Sequence, residues 1–310
     1  MKESTENVLT TVIAAKQQGP AVLISAGVHG DEYEPMAAAA RLAAILPTML
    51  MRGQVTVVTV VNPDAYTNGT RQGSDGLDLA RVCPGSRNGS VSEAYAARIS
   101  TMIEQADYYV DMHTGGLTYE IHPLAGYMLH PDEHVLDVQR QMARCFDMLL
   151  IWGTDYRPQG RTLSVARDAN VPAIYLEFGG GTGFRQQVVD TYVAGMINLL
   201  RFLGMVDGEV SRFSEPYWLE DHRADSGYLQ GKMPSPAGGI LMSEVALGEM
   251  VSTGQCFGHI FDPMSGASHP VYADVGGVVF LKRAIVKVAS GDALGGILPI
   301  TQRRKHTIYE

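Results

Sequence analysis

Cysteine is scarce in this sequence, which holds only Cys83, Cys145 and Cys256 among 310 residues. The three form no C-x-x-C pair and no even-numbered set, which excludes a disulfide framework and a cysteine-rich zinc finger. No apolar run approaches the roughly 20 residues of a membrane-spanning helix. The N-terminal segment lacks the apolar core and cleavage site of a signal peptide. We therefore expect a cytoplasmic protein without a membrane partner.

Positive charge is also in short supply, with 24 Lys and Arg residues against 33 Asp and Glu residues and a formal net charge of -9. An acidic protein repels phosphate backbones, so nucleic acid is not an expected partner. The sequence has no G-x-S-x-G motif, no Walker A loop and no G-x-G-x-x-G fingerprint. A small molecule is the expected partner, and the low content of charged residues, 18%, is compatible with a homo-oligomer.

Four apolar runs are predicted to be buried strands: Ala21–Val28, Val55–Val61, Asp107–Met112 and Ala173–Phe178. Continuous apolar runs are typical of parallel strands that helices cover on both faces. Helical spacing of apolar residues is found in Met36–Leu50, Ser92–Gln105, His134–Leu149 and Val188–Leu203. Alternating strands and helices predict a doubly wound α/β fold with a mostly parallel sheet.

From Gly227 onwards the sequence has short β-like runs, many glycines and no predicted helix. It contains an internal repeat, because Gly238–Ile260 and Gly276–Ile297 each have a GG pair, an apolar run, a V-x-x-G turn and a final G-x-I. Two such units predict a small pseudo-symmetric all-β module. The pattern resembles the sandwich of biotinyl/lipoyl carrier domains.

This change of composition predicts two domains, a catalytic domain over 1–212 and a β domain over 213–310. A carrier domain bears its modified lysine between the two halves, but the corresponding segment here, 261–268, contains no lysine. We therefore expect the β domain to be structural, and to cap or border the active site rather than act as a swinging arm.

Polar side chains lie at the end of each predicted strand. They are His29, Asp31 and Glu32 after the first, Asn62 and Asp64 after the second, Asp111 and His113 at the third, and Glu177 in the fourth. Open α/β sheets bind ligands outside the carboxyl ends of their strands. Because these ends meet at one edge of a parallel sheet, the polar side chains are expected to converge there.

Three of these residues have the chemistry of a metal-ligand set. His29 and Glu32 are spaced H-x-x-E on a turn in which Gly30 lets the backbone bend. Two imidazoles and a carboxylate are the ligands of a catalytic zinc whose fourth position stays open. We therefore expect one Zn²⁺ per chain, held by His29, Glu32 and His113, and Asp111 as a carboxylate that orients a ligand imidazole.

Glu177, Arg71 and Arg81 are candidates for catalysis and substrate binding. Glu177 lies in the apolar run AIYLEF, where an ionisable side chain is costly unless it has a partner or a task. A carboxylate beside a metal-activated water is a suitable general base. Both arginines lie in a loop of turn-forming residues, and a guanidinium can polarise a carbonyl or hold a carboxylate with two hydrogen bonds.

The ordered segments GVHGDEYEP, NPDAY, GTRQ, DLARVCPG, DMHTG and YLEFGGG resemble the zinc carboxypeptidase superfamily. They are most similar to its succinylglutamate desuccinylase/aspartoacylase branch, and with the glycine-rich β tail the resemblance spans nearly the whole chain. It implies zinc ligation by His29, Glu32 and His113, general-base catalysis by Glu177, and polarisation of the scissile carbonyl by Arg71.

The sequence departs from the family pattern at one position of the substrate pocket. The family segment D-L-N-R, whose Asn and Arg grip a substrate carboxylate, reads Asp78-Leu79-Ala80-Arg81 here. Arg81 is therefore kept as a carboxylate ligand, whereas Ala80 removes the other half of the clamp. The further candidates for substrate binding are Asn62, Tyr119, Arg161 and Tyr228.

The favoured function is a zinc-dependent deacylase that hydrolyses the amide bond of a small, anionic N-acyl amino acid or a related N-acyl amine. One alternative is a zinc carboxypeptidase that acts on short or cell-wall peptides, for which an open groove is expected instead of a closed pocket. The second alternative is an inactive small-molecule binding protein, which is expected to have lost a ligand or the base. The three expected ligands, His29, Glu32 and His113, and the expected base, Glu177, are all present in the sequence.

Overall fold

The computed structural model describes residues 9–213, 216–224, 226–228 and 233–300, together with the backbone of 306–309. These residues form a mixed α/β fold with a large sheet and a second, smaller sheet. Helices α1 to α6 span Tyr33–Ile45, Pro63–Asn68, Val91–Glu104, Glu133–Ala143, Thr162–Asp168 and Gln186–Phe202. None of the described helices has both the length and the apolar character needed to cross a membrane.

The helices begin where the sequence supplies capping groups. The backbone N–H of Ser90 donates to the Glu93 side chain at 2.8 Å before α3, which is one half of a capping box. Asp132 caps α4 by accepting backbone N–H groups of its first turn. Asn62 caps the short helix α2, since its side-chain oxygen accepts the N–H of Ala65 at 3.1 Å.

Sixteen strands, β1 to β16, are found in the described residues. They span Thr10–Ala14, Gln17–Ala26, Arg52–Val58, Tyr108–His113, Tyr119–Met128, Leu150–Thr154, Ala173–Gly180, Tyr217–Asp221, Gly239–Ser243, Met250–Val251, Cys256–Phe261, Ser268–Tyr272, Gly277–Arg283, Lys287–Val288, Gly295–Leu298 and His306–Tyr309. Two short 3-10 helices, Leu46–Thr48 and Leu79–Arg81, complete the regular structure.

The large sheet has the order β1-β3-β2-β4-β7-β5-β6-β8-β16. Strands β3, β2, β4 and β7 run parallel, so the carboxyl ends of β2, β4 and β7 lie at one edge. β5 is antiparallel to β7 and parallel to β6. His113 at the end of β4 is the direct ladder partner of Glu177 on β7, which brings two of the predicted site residues together.

Helices cover both faces of this parallel region, as predicted. Side chains of α1, α4 and α6 pack on one face with Ile24 and Val110, and side chains of α3 and α5 pack on the other face with Leu23 and Tyr109. Consecutive strand residues therefore enter different cores. This double burial explains the continuous apolar runs in the sequence.

The four predicted strands and four predicted helices are present, with shifted ends. The largest error is at His134–Leu149, where the helix ends at Ala143 and β6 begins at Leu150. Strand β5 was not predicted. Its sequence holds Pro123 and Gly126, which normally argue against a central strand, and its pairing with β7 shifts register between Ile121 and Leu124, on either side of the proline.

The internal repeat corresponds to two equivalent sets of three strands. The first repeat forms β9, β10 and β11, and the second forms β13, β14 and β15. In each set the first strand pairs antiparallel with the third. The short middle strand pairs instead with the first strand of the other set, β10 with β13 and β14 with β9. The sequence repeat is therefore a structural repeat with exchanged strands.

Each triplet contributes strands to both sheets. Strands β9, β11, β12 and β14 form the small sheet, whereas β13 joins the large sheet through an antiparallel pairing with β5. A buried apolar cluster that includes Leu241, Phe257, Ile260 and Val279 joins strands of both triplets. Strand β8 lies beyond the expected boundary at 212/213 and also pairs within the large sheet, next to β6. The division of the chain into two domains stays a prediction.

Candidate active site

The turn between β2 and α1 carries His29 and Glu32 and packs tightly against α2. A Cβ atom on Gly30 would lie 2.0 to 2.2 Å from backbone atoms of Ala65 and Tyr66. The sequence indicated that Gly30 lets this turn bend, and the structure adds that its missing side chain permits the close packing. Glu32 is the residue before the first turn of α1, so the helix start fixes its position.

Glu32 lies between the two histidines. Its Oε1 is 2.7 Å from Nδ1 of His29, and its Oε2 is 2.9 Å from Nδ1 of His113. The backbone N–H of Thr114 also donates to Oε2, at 3.2 Å. One potential ligand atom of each of these three buried residues lies within 4.8 Å of the others. The three predicted metal ligands therefore converge.

Two further carboxylates hold the other nitrogen of each imidazole. Asp111 Oδ2 lies 3.1 Å from Nε2 of His113, in the orienting position predicted for it. Asp78 Oδ1 lies 3.2 Å from Nε2 of His29. Asp111 is itself held by the hydroxyl groups of Ser25 and Thr162, at 2.7 and 2.6 Å. Both imidazoles are thereby fixed with Nδ1 facing Glu32.

These contacts set the charge states of Glu32 and His113. Burial alone would raise the pKa of Glu32, but the imidazoles of His29 and His113 hold it well below its usual range. Burial likewise opposes the charged form of His113, but Asp111 and Glu32 outweigh that effect and place its pKa well above the ordinary value. The carboxylate of Glu32 is therefore ionised, as a metal ligand must be.

The donor set fits a divalent metal ion. Two imidazole nitrogens and one carboxylate lie within ligand range, and the far nitrogen of each ring faces a carboxylate, as is usual for metal-binding histidines. The Nδ1 atoms of His29 and His113 and the carboxylate oxygens of Glu32, which now contact one another, are the atoms that would face the ion. The group can thus hold a metal ion with at least one coordination position left for another ligand.

Glu177 has the properties expected of a proton acceptor. Its Oε2 is buried and has no hydrogen-bond partner among the described residues. Its side chain lines the cavity, so solvent reaches part of it, yet the surrounding protein raises its pKa to about 8 through burial. The nearby imidazole of His113 opposes this rise, and the carboxylate of Glu32 adds to it. The carboxyl group is poised to exchange a proton near neutral pH.

Arg71 lies beside the proposed metal ligands because Asp78 holds it there. Its Nε and one Nη are 3.1 and 3.0 Å from Asp78 Oδ2, and its other Nη is 3.4 Å from Nδ1 of His29. Burial opposes the charge on Arg71, but Asp78 and Glu32 outweigh burial and raise its pKa. The guanidinium therefore stays protonated in contact with the His–Glu–His group.

These groups line a cavity of about 150 Å³. Arg81 and Arg161 line the same cavity as Arg71, and so do Tyr119 and Ala80. Burial lowers the pKa of Arg81, and the nearby cations of Arg161 and Arg71 add to this effect against the opposing carboxylate of Asp78. Three guanidinium groups in one small cavity favour an anionic ligand.

Two of the predicted substrate-binding residues do not line this cavity. Asn62 is fully buried as the cap of α2. The side chain of Tyr228 is 44% exposed. It lies close enough to Arg81 to raise the pKa of that guanidinium, and the neighbouring residue Gly227 lines the cavity. Ala80 lies at the cavity wall, so the missing amide of the family pattern leaves space next to Arg81.

The sequence reasoning missed the roles of Asp31 and Asp78. Asp78 was considered only as the start of the D-L-A-R segment, although it is a carboxylate in the same loop as the candidate Arg71, with which it forms an ion pair. Asp31 accepts the N–H of Leu117 at 3.0 Å through Oδ2 and lines the cavity. Its buried Oδ1 has no partner among the described residues. Asp31 is thus a polar wall residue opposite in charge to the arginines.

A family model of the succinylglutamate desuccinylase/aspartoacylase catalytic domain matches residues 18–203. The chain belongs to this family. The matched segment contains every proposed metal ligand, Glu177 and the three cavity arginines. The resemblance deduced from the sequence motifs is confirmed.

Known relatives agree with this assignment along nearly the whole chain. The N-alpha-acetyl-L-2,4-diaminobutyric acid deacetylase of Halomonas elongata is 29% identical over 306 residues, which cover 95% of this chain and 86% of that protein. A succinylglutamate desuccinylase/aspartoacylase structure from Rhodobacter sphaeroides is 26% identical, with a TM-score of 0.83, and the match covers 93% of this chain and 88% of that one.

A third likeness concerns the fold alone. The product-bound ectoine utilization protein EutE (DoeB) from Ruegeria pomeroyi has a TM-score of 0.84 at 24% identity, over 93% of this chain and 87% of that chain. Of the predicted fold, a doubly wound α/β arrangement with a C-terminal β module, these structures confirm the α/β class with a large sheet. The predicted enzyme class, a hydrolase of carbon–nitrogen bonds that acts as a deacylase on small molecules, is confirmed by the family and the relatives.

Proposed function

We propose that this protein is a zinc-dependent deacylase that hydrolyses the amide bond of a small N-acyl amino acid. The observation that carries the proposal is a buried ligand set next to a candidate base: His29, His113 and Glu177 line one cavity, and Glu32 contacts both histidines. His29, Glu32 and His113 form a buried ligand set, and Glu177 lies beside them with an unpaired carboxyl oxygen. A structural ion-pair network gives no reason for a buried carboxyl oxygen that has no hydrogen-bond partner among the described residues.

Zinc is the proposed ion because the ligands are two imidazoles and one carboxylate with an open position. A bound Zn²⁺ would supply Lewis-acid activation of the attacking water and of the substrate carbonyl. Asp78 and Asp111 keep both Nδ1 atoms free for this role by holding Nε2. Asp111 in turn is fixed by two hydroxyl groups, so the ligand geometry is set before any ion binds.

Glu177 and Arg71 are the proposed catalytic residues. Glu177 accepts a proton from the attacking water and delivers it to the nitrogen of the leaving amine. Its pKa is about 8 without a metal, and a cation held by His29, Glu32 and His113 would lower this pKa and favour the ionised form that accepts the proton. Arg71 donates hydrogen bonds to the amide oxygen as negative charge develops on it.

The carboxylate of the substrate is proposed to bind Arg81 and Arg161. Both line the cavity, and their mutual repulsion helps to lower the pKa of Arg81, a cost that a bound carboxylate relieves. Arg161 thereby compensates for the family Asn that Ala80 replaces. The acyl group is proposed to be small, as in the N-acetylated diaminobutyric acid on which the Halomonas relative acts.

The size of the cavity favours a deacylase over a carboxypeptidase. Its volume of about 150 Å³ lies below the roughly 300–1,000 Å³ of sites for drug-sized ligands. Leu281 of β13 and Gly227, both from the C-terminal part of the chain, form part of its wall. This supports the proposal that the C-terminal β domain, over 213–310, borders the site of the catalytic domain over 1–212, while the division itself stays a prediction. The similarity to a carrier sandwich and the cytoplasmic location stay predictions.

The decisive experiment measures zinc content and activity together. Metal-free protein is supplied with zinc, dialysed and analysed for bound metal, and it is then assayed on a panel of N-acetyl amino acids. We expect His113→Ala to lose one zinc per chain and all activity, and Glu177→Gln to keep the zinc and lose activity. A folded wild-type protein that binds no zinc at this site, or a Glu177→Gln variant with normal turnover, overturns the proposal.

A further inference from the structure

A second group of metal-ligand side chains lies outside the catalytic cavity, on the small sheet. It consists of Glu244, which follows β9, and of Cys256 and His259 on β11. One potential ligand atom of each residue lies within 4.8 Å of the other two. The imidazole Nδ1 of His259 is 2.7 Å from Oε1 of Glu244. The family comparison, which ends at residue 203, does not reach this group.

A β-bulge brings Cys256 and His259 to the same face of the sheet. In a regular strand, two residues three positions apart point to opposite faces. Here the pairing of β11 with β12 shifts register between Cys256 and Gly258, which inserts one extra residue. Phe257 and Ile260 are both fully buried in the apolar cluster. Cys256 and His259 therefore both face away from it.

Glu244 is placed opposite these two residues by the backbone. Its N–H donates to the carbonyl of Phe257 at 2.9 Å, and Phe257 lies in the bulge between Cys256 and Gly258. The side chains of Glu244 and His259 are 52% and 38% exposed, so both can rotate towards a common point. The thiol of Cys256 is half-buried and donates to the carbonyl of Gly258 at 3.6 Å.

We propose that Glu244, Cys256 and His259 form a second metal site, which binds a divalent ion of intermediate softness such as Zn²⁺. A thiolate, an imidazole and a carboxylate are all ligands of zinc, with bond lengths of about 2.0–2.3 Å. Such bonds put ligand atoms about 3–4 Å apart. The present atoms lie within 4.8 Å of one another, so rotation of the exposed side chains of Glu244 and His259 is expected to close the remaining distance. Water fills the fourth position, and binding releases the thiol proton of Cys256 to solvent.

The contacts within this group parallel those at the catalytic site. There, Nδ1 of His29 lies 2.7 Å from Oε1 of Glu32, the same distance as between His259 and Glu244. The two sites differ in one ligand, since the catalytic group contains no sulfur. A metal that forms a distinctive bond with thiolate can therefore report on the second site alone.

Cobalt provides that test in the full-length protein. Co²⁺ bound by a cysteine thiolate gives an intense ligand-to-metal charge-transfer absorption in the near ultraviolet, which imidazole and carboxylate ligands do not give. We expect metal-free protein to bind two equivalents of Co²⁺ and to show this absorption. Cys256→Ser should lose the absorption and one equivalent, His113→Ala should keep the absorption and lose the other equivalent, and Zn²⁺ should displace the cobalt.

Alkylation of the thiol gives an independent readout. Cys83 and Cys145 are buried, and burial raises the pKa of each thiol to about 12, so Cys256 is the cysteine open to a maleimide. We expect Zn²⁺ at about ten times its dissociation constant to slow labelling about tenfold. Glu244→Gln and His259→Ala should weaken this protection, and the buried-cysteine control Cys145→Ala should retain it.

Two results would overturn the second site. One is charge-transfer absorption that persists in Cys256→Ser, and the other is labelling of Cys256 that zinc does not slow in the wild-type protein. Neither depends on catalysis. Failure of the catalytic proposal appears instead in the zinc content and turnover of His113→Ala and Glu177→Gln, so the two proposals are tested separately.

Discussion

The carboxylate of Asp78 joins His29 to Arg71. Its Oδ1 lies 3.2 Å from Nε2 of His29, and its Oδ2 lies 3.0 Å from the guanidinium of Arg71. Burial opposes ionisation of Asp78, but His29, Arg71 and Arg81 outweigh it and keep the pKa of Asp78 well below its usual range. One side chain thus orients a proposed metal ligand and a proposed catalytic residue at once.

Asp78→Asn should weaken both functions. Loss of a carboxylate behind a metal-binding histidine typically reduces metal affinity about 10- to 100-fold, and we expect a reduction of this size for zinc. The measurement is a competition titration with a chelator. Asp75→Asn is the matched control, because Asp75 lies in the same loop and accepts hydrogen bonds from Ser92 rather than from the site. Equal zinc affinities of Asp78→Asn and wild type would contradict the positioning role.

Glu177→Gln should separate metal binding from catalysis. The amide is similar in size to the carboxyl group but cannot accept a proton, and general-base catalysis is typically worth about 10²- to 10⁴-fold. We expect kcat/KM to fall by this factor while the zinc content is unchanged. A variant that loses metal together with activity would instead indicate that Glu177 shapes the ligand site.

The same substitution predicts a pH-dependent gain in stability of the metal-free protein. Burial raises the pKa of Glu177 from 4.5 to about 8, so the folded state keeps a proton that the unfolded chain releases in this range. The contribution of Glu177 to folding stability is therefore lost as pH rises from 4.5 towards 8, by about 1.4 kcal/mol per unit of pKa difference.

Glu177→Gln lacks this ionisation and should be the more stable protein at pH 8, by a few kcal/mol. The difference should shrink as the pH falls towards 4.5, because both side chains are then neutral. Urea unfolding of the two metal-free proteins across this range measures it. If the difference in unfolding free energy between the two proteins stays constant with pH, the carboxyl group of Glu177 has the same pKa in the folded and unfolded chain, and the prediction is wrong.

Arg81→Gln and Arg161→Gln should weaken binding of the substrate carboxylate. Hydrogen bonds to charged groups contribute about 1.5–3 kcal/mol each, so KM should rise about 10- to 100-fold with little change in kcat. An N-acyl amino acid whose carboxylate is converted to a neutral amide is the matched substrate, and its KM should be nearly the same in all three proteins. Equal losses on both substrates would place these arginines outside carboxylate recognition.

Gly30→Ala should displace the turn that carries two of the three proposed ligands. Its Cβ would come within 2.2 Å of backbone atoms in α2, so the turn that carries His29 and Glu32 or the helix α2 must shift. We expect lower thermal stability and loss of zinc. Gly238→Ala is the control, since the nearest atom to its Cβ is at 3.7 Å, and it should leave both properties unchanged.

The sequence was most informative where chemistry and topology coincide. His29, Glu32 and His113 each follow a long apolar run, and the rule that parallel strands share a carboxyl edge was sufficient to bring them together. Asp78 was missed because it lies in an irregular loop, where no periodicity fixes the direction of a side chain. Asn62 was assigned to substrate binding from its place at a strand end, although the same position allows it to cap a helix.

Two strands of the fold, β5 and β6, were not predicted from the sequence for a similar reason. β5 is stabilised by neighbours on both sides, including β13 from the far end of the chain, and such long-range pairing overrides the local signals of its proline and glycine. β6 has five residues, a run too short to identify as a strand from apolar spacing alone. Tertiary contacts, rather than local preference, determine both strands.

The exchanged short strands of the C-terminal repeat make each half incomplete without the other. Residues 287–288 of the second half extend β9 of the first, and residues 250–251 of the first half extend β13 of the second. A chain cut between the halves would expose two unpaired strand edges and an apolar surface. We therefore expect the two halves of the repeat to fold as one cooperative unit. Since β13 is also hydrogen-bonded to β5 beside the cavity, a substitution that unfolds the repeat is expected to distort the substrate-binding cavity as well.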